Sequence, residues 1–361
     1  MSLLVDRATP YRVVQWATGN IGTRSLRTVI EHPSLSLAGV YVYSQDKLGR
    51  DAGELCGLGA VGVKATRDIA QIVALRPDCV LYMPQSANTG ELCTLLESGA
   101  NVVTTRTEFH NPARMDPAVR ERIEAACRLG GSSLHSTGSS PGFITEALPL
   151  LLSSLQRRVD GIRISEYANV SSRNSPELLF GIMGFNTVPN QAACEGRAYY
   201  LRAGFGASLE VVASALGLSF DSIEAVGEVA CARRDTRIAA GVIEAGKVVA
   251  QRTTVTGMRD GKPLCSFTAY WFCSDDIDAD WPLRANGWSV AVDGDTPLQV
   301  DIGFPVPPER WAETSPGLTA HRAVNAVRYV CEAAPGIRTS VELPQIIPDL
   351  RAPKVREASQ R

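Results

Sequence analysis

The feature that most constrains the fold is a regular alternation of short apolar runs with helical segments from Arg12 to about Ser139. The apolar run Val13–Trp16 leads into a glycine turn, and Thr23–Glu31 then follows with helical periodicity. Further strand candidates recur between helical stretches, at Leu37–Tyr43, Cys79–Met83, Asn101–Thr105 and Ser133–Ser136. Parallel strands need a crossover connection, which is usually a helix. The alternation therefore predicts an α/β fold with a Rossmann-type, doubly wound parallel sheet.

Beyond about Glu146 the pattern changes to neighbouring strands joined by tight turns. Asp260-Gly261 separates the apolar runs Thr253–Met258 and Leu264–Phe272. Asp293-Gly294 likewise separates Trp288–Val292 and Leu298–Ile302. An Asp-Gly pair between two such runs indicates a β-hairpin. These hairpins predict an α+β second domain with a large, mostly antiparallel sheet. We expect the sheet face not covered by helices to be apolar and to pair in a homodimer.

A helical pattern returns over Thr319–Ala333 and ends at Pro335-Gly336. We expect this segment to pack back on the first domain. The predicted organisation is a dinucleotide-binding domain of residues 1–145, completed by 317–361, with residues 146–316 as a substrate and dimerisation domain.

Composition excludes several classes of function. Lys and Arg number 36 against 38 Asp and Glu, which is atypical of a nucleic-acid-binding protein. No apolar run approaches the roughly 18 residues of a membrane span, and the first ten residues lack a secretory signal. The nine cysteines are scattered without metal-ligand spacing. These features predict a cytoplasmic protein with no metal site and no membrane or nucleic-acid partner.

The first strand runs into a turn that is typical of dinucleotide binding. Its residues are Thr18, Gly19, Asn20, Ile21 and Gly22. Gly19 lets the backbone approach a pyrophosphate, Gly22 allows close packing of helix and strand, and the amides at the helix start face the anion. The first glycine of the usual fingerprint is replaced by Trp16 or Ala17.

Cofactor choice is determined at the end of the second strand. NAD enzymes place an acidic residue here to hold the ribose 2′-hydroxyl. Ser44 together with Lys47 or Arg50 is suited to a ribose 2′-phosphate, whereas Asp46 is expected just beyond the ribose. The alternative is that all four are solvated loop residues. The pattern favours NADP, with NAD as a second cofactor. Other residues that we assign to the cofactor site are Met83, Pro84, His135, Gly138 and Asn325. His135 is equally consistent with a satisfied core histidine.

Several segments together resemble one enzyme family. They are Val14–Gly22, Thr105–Phe109, Thr137–Phe143, Val324–Val327 and Ala334–Ile337. The set resembles the native amine dehydrogenase and 2,4-diaminopentanoate dehydrogenase family, whose N-terminal domain is similar to that of dihydrodipicolinate reductase. The resemblance implies NAD(P)H-dependent reductive amination, reversible as oxidative deamination. It also implies that Glu108 is the residue associated with the amine.

Glu108 follows the strand Asn101–Thr105, and ligands of doubly wound sheets lie at the carboxyl ends of the strands. Reductive amination passes through a cationic iminium, which a carboxylate stabilises, and a carboxylate also accepts a proton from ammonium. The alternative is a loop glutamate paired with Arg106 or Arg114.

We expect the substrate pocket to be lined by residues from three segments, namely Ser139, Ser140, Phe143, Tyr167, Asn169 and Phe185. No arginine or lysine is clearly placed to hold a substrate carboxylate. The sequence therefore favours small uncharged ketones or aldehydes with ammonia. The alternatives are a reductase like dihydrodipicolinate reductase, a diamino-acid dehydrogenase, and a catalytically silent NADP-binding regulatory protein.

Overall fold

The computed structural model describes residues 9–350 and divides the chain into two compact units. Unit 1 is Met1–Ser139 together with Pro316–Arg361, and unit 2 is Ser140–Ser315. The first boundary falls six residues before the predicted one at 145, and the return falls one residue before the predicted 317. Within the predicted return, residues 351–361 lie outside the described part of the chain.

Unit 1 contains a seven-stranded sheet in the order β15-β6-β5-β4-β1-β2-β3. Numbered in chain order, its strands are β1 (Tyr11–Trp16), β2 (Leu35–Tyr41), β3 (Ala65–Thr66), β4 (Cys79–Tyr82), β5 (Asn101–Thr104), β6 (Ser133–Ser136) and β15 (Gly336–Arg338). Its helices in the first part of the chain are α1 (Asn20–Glu31), α2 (Ala52–Leu55), α3 (Ile69–Ala74), α4 (Thr89–Glu97) and α5 (Pro117–Gly130). Every pairing in this sheet is parallel. The doubly wound parallel sheet is confirmed.

Alternate residues of the central strands pack into cores on the two faces of this sheet. Val14 and Val80 belong to a core with Leu95 of α4 and Ile123 of α5. On the other face, Val13 and its neighbours pack with residues of helix α8 (Pro308–Cys331), which are Ala323, Val324, Ala326, Val327 and Val330. Because both faces of a parallel sheet must be covered, the returning helix completes the core. It begins eleven residues before the predicted Thr319.

Strand β15 is absent from the sequence-based prediction. It has only three residues and begins at Gly336, directly after Pro335, so it is too short to show a periodicity. Its pairing partner β6 is 200 residues earlier in the chain, with Ile337 opposite Leu134. Only the tertiary structure identifies this edge of the sheet.

Unit 2 contains a six-stranded mixed sheet in the order β14-β13-β7-β12-β11-β8 and a two-stranded sheet of β9 and β10. Its strands are β7 (Val159–Asn169), β8 (Ser222–Cys231), β9 (Thr236–Ile238), β10 (Gly241–Ile243), β11 (Val248–Arg259), β12 (Lys262–Phe272), β13 (Gly287–Gly294) and β14 (Leu298–Gly303), and its helices are α6 (Leu148–Ser153) and α7 (Gln191–Ala215). Both predicted hairpins, β11–β12 and β13–β14, are confirmed as antiparallel pairs. Strands β7 and β12 run parallel and join the two hairpins.

The two faces of the large sheet differ in character. Helix α7 covers one face, where Phe205 stacks on Phe267 with 3.9 Å between ring centroids. The opposite face carries half-buried polar side chains, including Arg252 and the hydrogen-bonded pair Thr254 and Thr268. The expectation of an apolar outer face is therefore wrong. Among residues 9–350, no helix combines the length and apolar character that crossing a bilayer requires.

Candidate active site

The turn between β1 and α1 has the backbone form that phosphate binding needs. Gly19 is the N-cap of α1, no side chain caps this helix end, and its first turn carries no acidic residue. The first amides of a helix have no partner within the helix, so these donors are available to an anion. A Cβ built on Gly19 would meet no atom within 4 Å, so the approach to these donors is open. The turn fits a dinucleotide pyrophosphate.

The structure identifies the residue that replaces the first glycine. Ala17 has a φ of 70°, in the left-handed region that favours glycine, whereas Trp16 is the last residue of β1. A Cβ on Gly22 would lie 2.2 Å from the carbonyl oxygen of Ala17. Gly22 is therefore required for α1 to start this close to the turn.

The loop that follows β2 is hydrogen-bonded to the turn between β1 and α1. Lys47 Nζ donates hydrogen bonds to the carbonyl oxygen and the hydroxyl of Thr18, at 3.0 and 3.2 Å. Ser44 donates its hydroxyl hydrogen to Asp46, and this bond holds the pKa of Asp46 below its usual range. Arg50 is exposed on the same loop. The structure therefore brings the predicted ribose residues and the predicted pyrophosphate residues together.

An aromatic cluster that the sequence reasoning missed lies at the carboxyl ends of β1, β2 and β4. Trp16 stacks on Tyr41 with 3.7 Å between centroids and donates its indole hydrogen to the Tyr43 hydroxyl. Tyr43 and Tyr82 both donate to Glu91 Oε2, at 2.8 and 2.9 Å. Burial raises the pKa of Tyr43 to about 12, so its phenol stays protonated at neutral pH. The sequence did contain a signal for this cluster. Three strand candidates, Val13–Trp16, Leu37–Tyr43 and Cys79–Met83, each have an aromatic residue at the last or the next-to-last position.

Three of the remaining predicted cofactor residues adjoin the turn or its sheet edge. The Met83 amide donates to the carbonyl of Trp16 at 3.1 Å, and the buried Pro84 follows it. Gly138 comes directly after Thr137, whose amide donates to the carbonyl of Thr104 at the end of β5. These residues lie at the carboxyl ends of β4, β5 and β6, as predicted for ligand contacts.

His135 and Asn325 lie in other surroundings. His135 is fully buried, and its Nδ1 lies 2.8 Å from the carbonyl oxygen of Arg338 on the neighbouring strand β15, which is the arrangement of a core histidine. Asn325 lines a groove with His32, the C-cap of α1. Gly19 caps the other end of that 12-residue helix, about 18 Å away. Asn325 is therefore not beside the phosphate turn, because only one end of α1 faces the carboxyl edge of the sheet.

Glu108 lies just beyond β5, at the carboxyl edge of the sheet, and is paired with Arg106. Arg106 Nε and Nη2 lie 3.1 and 3.0 Å from Glu108 Oε1. Arg106 Nη1 also donates to the carbonyl of Gln85 at 2.6 Å, so the guanidinium bridges the loops after β4 and β5. Glu108 is 41% exposed, and among residues 9–350 its Oε2 has no hydrogen-bond partner. The pairing with Arg106 thus fixes one oxygen and leaves the other for a ligand.

The predicted substrate residues of unit 2 do not lie together in the structure. Phe143 lies 6.2 Å from Trp288, ring centroid to ring centroid. Tyr167 points to the opposite face of the sheet, where it stacks on Tyr270. Phe185 is fully buried in a hydrophobic core, so its prediction as a pocket residue is wrong.

The other predicted polar residues of the pocket make local contacts. Asn169 accepts a hydrogen bond from the Ser171 amide at the end of β7. Ser140 is partly buried at the start of unit 2. Ser139 belongs to unit 1, where its hydroxyl lies 2.7 Å from that of Thr319. Phe143 thus packs beside Trp288, whereas these polar residues contact their own surroundings.

Family models match both parts of the chain. The model described as the N-terminus of dihydrodipicolinate reductase matches residues 13–126. The model described as the C-terminal domain of 2,4-diaminopentanoate dehydrogenase matches residues 192–359.

Individual proteins match over nearly the whole length. An amine dehydrogenase of Streptomyces virginiae is 30% identical over 348 residues, which is 92% of this chain and 95% of that protein. The solved structure of amine dehydrogenase from Mycobacterium smegmatis superposes with a TM-score of 0.75 at 22% identity, covering 95% of this chain and 98% of that one. GenD2 from gentamicin A biosynthesis, solved in complex with NAD, has a TM-score of 0.50 at 16% identity, covering 90% and 89%.

Proposed function

Because this chain belongs to the amine dehydrogenase family, we propose that it catalyses the NAD(P)H-dependent reductive amination of small ketones or aldehydes with ammonia, and the reverse oxidative deamination. The observation that carries this proposal is Glu108 at the carboxyl edge of the parallel sheet. Its Oε1 is held by Arg106, and its Oε2 has no hydrogen-bond partner among residues 9–350. This arrangement presents one oxygen of a positioned carboxylate to a cationic group.

The cofactor is a nicotinamide dinucleotide, with NADP preferred. The open backbone at Gly19 and the uncapped start of α1 bind the pyrophosphate. Lys47 and Ser44 bind the ribose 2′-phosphate, and the Lys47 ammonium supplies the charge that favours NADP. GenD2, which has the same fold, holds NAD. When bound, the cofactor supplies the hydride.

Glu108 acts on the nitrogen of the substrate. Ammonium gives a proton to Oε2, and the resulting ammonia attacks the carbonyl carbon to form a carbinolamine. The carbinolamine hydroxyl then takes this proton from Oε2 and leaves as water, which forms the C=N bond and restores the carboxylate. The carboxylate stabilises the positive charge of this iminium. Overall, the carbonyl compound, ammonium, a hydride and a proton give the protonated amine and water. The carbonyl carbon is reduced by two electrons, and the cofactor is oxidised by two.

The test is a panel of small ketones and aldehydes with NADPH or NADH, followed at the nicotinamide absorbance with and without ammonium. Cofactor oxidation that requires ammonium, and formation of the amine, are the expected results. Turnover without ammonium would instead identify a carbonyl reductase. Binding of NADPH with no turnover of any carbonyl would identify a regulatory protein.

Glu108→Ala tests the assigned residue. We expect it to lower kcat by at least about a hundredfold while the dissociation constant for NADPH changes by less than about twofold. Glu121→Ala is the matched control, since Glu121 is an exposed glutamate paired with Arg128 on α5. Retained turnover in Glu108→Ala would contradict the assignment.

The assembly that we propose is a homodimer formed through the polar face of the large sheet. Helix α7 covers the other face, whereas this one presents half-buried side chains that include Arg252, Thr254 and Thr268. Light scattering should give about twice the chain mass of 38.7 kDa. A monomeric mass would exclude this assembly.

The location that we propose is the cytoplasm. All nine cysteines lie within the described residues as free thiols, and seven of them are buried. Free thiols persist in reducing compartments. Fractionation of producing cells should recover the protein in the cytoplasmic fraction, and recovery in an extracytoplasmic fraction would exclude it.

A further inference from the structure

A carboxylate in unit 2 is held between two tryptophan side chains. Glu166 lies on β7, with Trp271 on one neighbouring strand and Trp288 on the other. Trp271 Nε1 donates to Glu166 Oε1 at 3.0 Å, and Trp288 Nε1 donates to Glu166 Oε2 at 3.1 Å. Each oxygen therefore accepts one indole hydrogen and keeps further acceptor capacity. The two bonds fix the carboxylate in position.

Within the part of the chain that the structure describes, no basic side chain pairs with Glu166. Among residues 9–350, no lysine, arginine or histidine lies within salt-bridge distance of it, and its two hydrogen bonds come from neutral donors. Other carboxylates of the same sheet are paired. Glu228 accepts two bonds of 2.7 Å from Arg252, and Asp301 accepts one of 2.8 Å from Arg284. Glu166 is thus a half-buried acid that lacks a cation.

The Trp288 ring, which donates to this carboxylate, packs against further aromatic rings. Trp288 meets Phe304 edge to face at 4.8 Å, and Phe143 lies 6.2 Å from Trp288. Phe304 also lies 5.0 Å from Trp311. Aromatic faces beside a carboxylate are suited to organic cations, because the rings attract the positive charge and contact the hydrocarbon part. A metal ion is a poorer match, since the described residues contain no cluster of three or more ligating side chains.

We propose that Glu166, with Trp288 and the rings of Phe143 and Phe304, forms a binding site for an organic ammonium ion. The ligand class is a protonated primary amine with a compact apolar substituent, so the inference rests on the proposed function for its physiological meaning. Compounds that add a carboxylate to the same amine bind more weakly, because that carboxylate meets the negative charge of Glu166. The sequence favours small uncharged ketones or aldehydes as substrates. The site at Glu166 restricts this class further, to carbonyl compounds that give simple amines and not amino acids.

Binding tests this site without turnover. Calorimetry on the full chain without added cofactor compares 2-aminopentane, the neutral isostere 2-pentanol and the amino acid norvaline. We expect the amine to bind about tenfold more tightly than either of the other two. Glu166→Gln should abolish this preference, and Glu166→Asp, which keeps the charge, should retain part of it. Melting temperatures of both variants show whether each one folds.

Glu228→Gln is the control, because Glu228 is a carboxylate of the same sheet that Arg252 already neutralises. It should leave the preference for the amine unchanged. An equal affinity of the wild-type chain for amine and alcohol, or an unchanged preference in folded Glu166→Gln, would overturn the inference.

Kinetics separate this inference from the proposed function. In the oxidative direction, Glu166→Gln should raise KM for 2-aminopentane about tenfold and leave KM for 2-pentanone within about twofold in the reductive direction. Amine binding that depends on Glu166 in a chain with no turnover would support the site and refute the proposed function. Ammonium-dependent turnover that does not change in Glu166→Gln would support the proposed function and refute the site at Glu166.

Discussion

Lys47 Nζ donates hydrogen bonds to both oxygen atoms of Thr18, the carbonyl at 3.0 Å and the hydroxyl at 3.2 Å. The contact joins the loop after β2, to which we assign the ribose, to the turn after β1, to which we assign the pyrophosphate. In our proposal a single ammonium therefore serves both anionic groups of a dinucleotide. Its position makes Lys47 the main determinant of cofactor preference in our proposal.

Lys47→Met should raise KM for NADPH about tenfold or more, and KM for NADH by a smaller factor, because the 2′-phosphate loses a charged partner. Steady-state kinetics with each cofactor measure the two changes. Lys262→Met, at the exposed start of β12, is the control and should leave both values unchanged. Equal losses with NADPH and NADH would show that Lys47 stabilises the loops without selecting the cofactor.

The two glycines of the phosphate turn should respond differently to alanine. The methyl group of Gly22→Ala would lie 2.2 Å from the Ala17 carbonyl oxygen, so the start of α1 must move. We expect a lower Tm, by about 5 °C or more, and a loss of cofactor binding. Scanning calorimetry and fluorescence titration with NADPH measure these effects.

Gly19→Ala tests cofactor binding without the disturbance of the helix start that Gly22→Ala causes. Its methyl group meets no atom within 4 Å, and Gly19 has an ordinary φ of −74°. The Tm should stay within about 1 °C, whereas the methyl group reduces the access of the pyrophosphate to the backbone and weakens NADPH binding about tenfold. Unchanged NADPH affinity in Gly19→Ala would place the pyrophosphate elsewhere.

Arg106 is a positioning residue for Glu108. Arg106→Gln removes the contact to Glu108 Oε1 and the bond to the Gln85 carbonyl, so the carboxylate gains freedom. We expect kcat to fall about tenfold and the pH profile of kcat to change, while the affinity for NADPH stays constant. Arg128→Gln, which removes an exposed pair with Glu121, serves as the control. A lower NADPH affinity with unchanged kcat would assign Arg106 to cofactor binding instead.

Acid stability should depend on Asp51. This buried side chain accepts hydrogen bonds from the amides of Val61, Gly53 and Gly62, and these bonds hold its pKa below the usual range, with the Val61 bond as the largest cause. A lowered pKa in the folded state stabilises the fold above the unfolded pKa of about 3.9 and is lost as the pH falls through the folded value. Asp51→Asn should therefore lower Tm by a few degrees near neutral pH.

The difference in Tm between the wild-type chain and Asp51→Asn should narrow as the pH falls below the unfolded pKa of about 3.9 and on through the lower pKa that Asp51 has in the folded state. Thermal melts over a pH series measure it. A constant difference down to low pH would mean that the hydrogen bonds to Asp51 do not depend on its charge.

Patterns that repeat over short distances were sufficient to predict much of this protein. The order of strands and helices in unit 1, the two hairpins of unit 2 and the position of Glu108 after β5 follow from local periodicity and turn chemistry. These features depend on residues that are neighbours in the chain. The sequence also located the turn between β1 and α1, because Gly22 reflects the close approach of the Ala17 carbonyl to the start of the helix.

The tertiary structure decided which distant residues meet. Phe185 and Tyr167 looked equivalent in the sequence as pocket residues, yet one is in a core and the other on the opposite face of the sheet from Glu166. His135 contacts the carbonyl oxygen of Arg338, which is 203 residues later in the chain. Asn325 lies near His32, at the C-terminal end of α1 and away from the turn at Gly19. The role that we propose for Glu166 depends on the strand register, which places Trp271 and Trp288 on either side of it. Strand register and the packing of a returning helix depend on the whole core, so no local pattern encodes them.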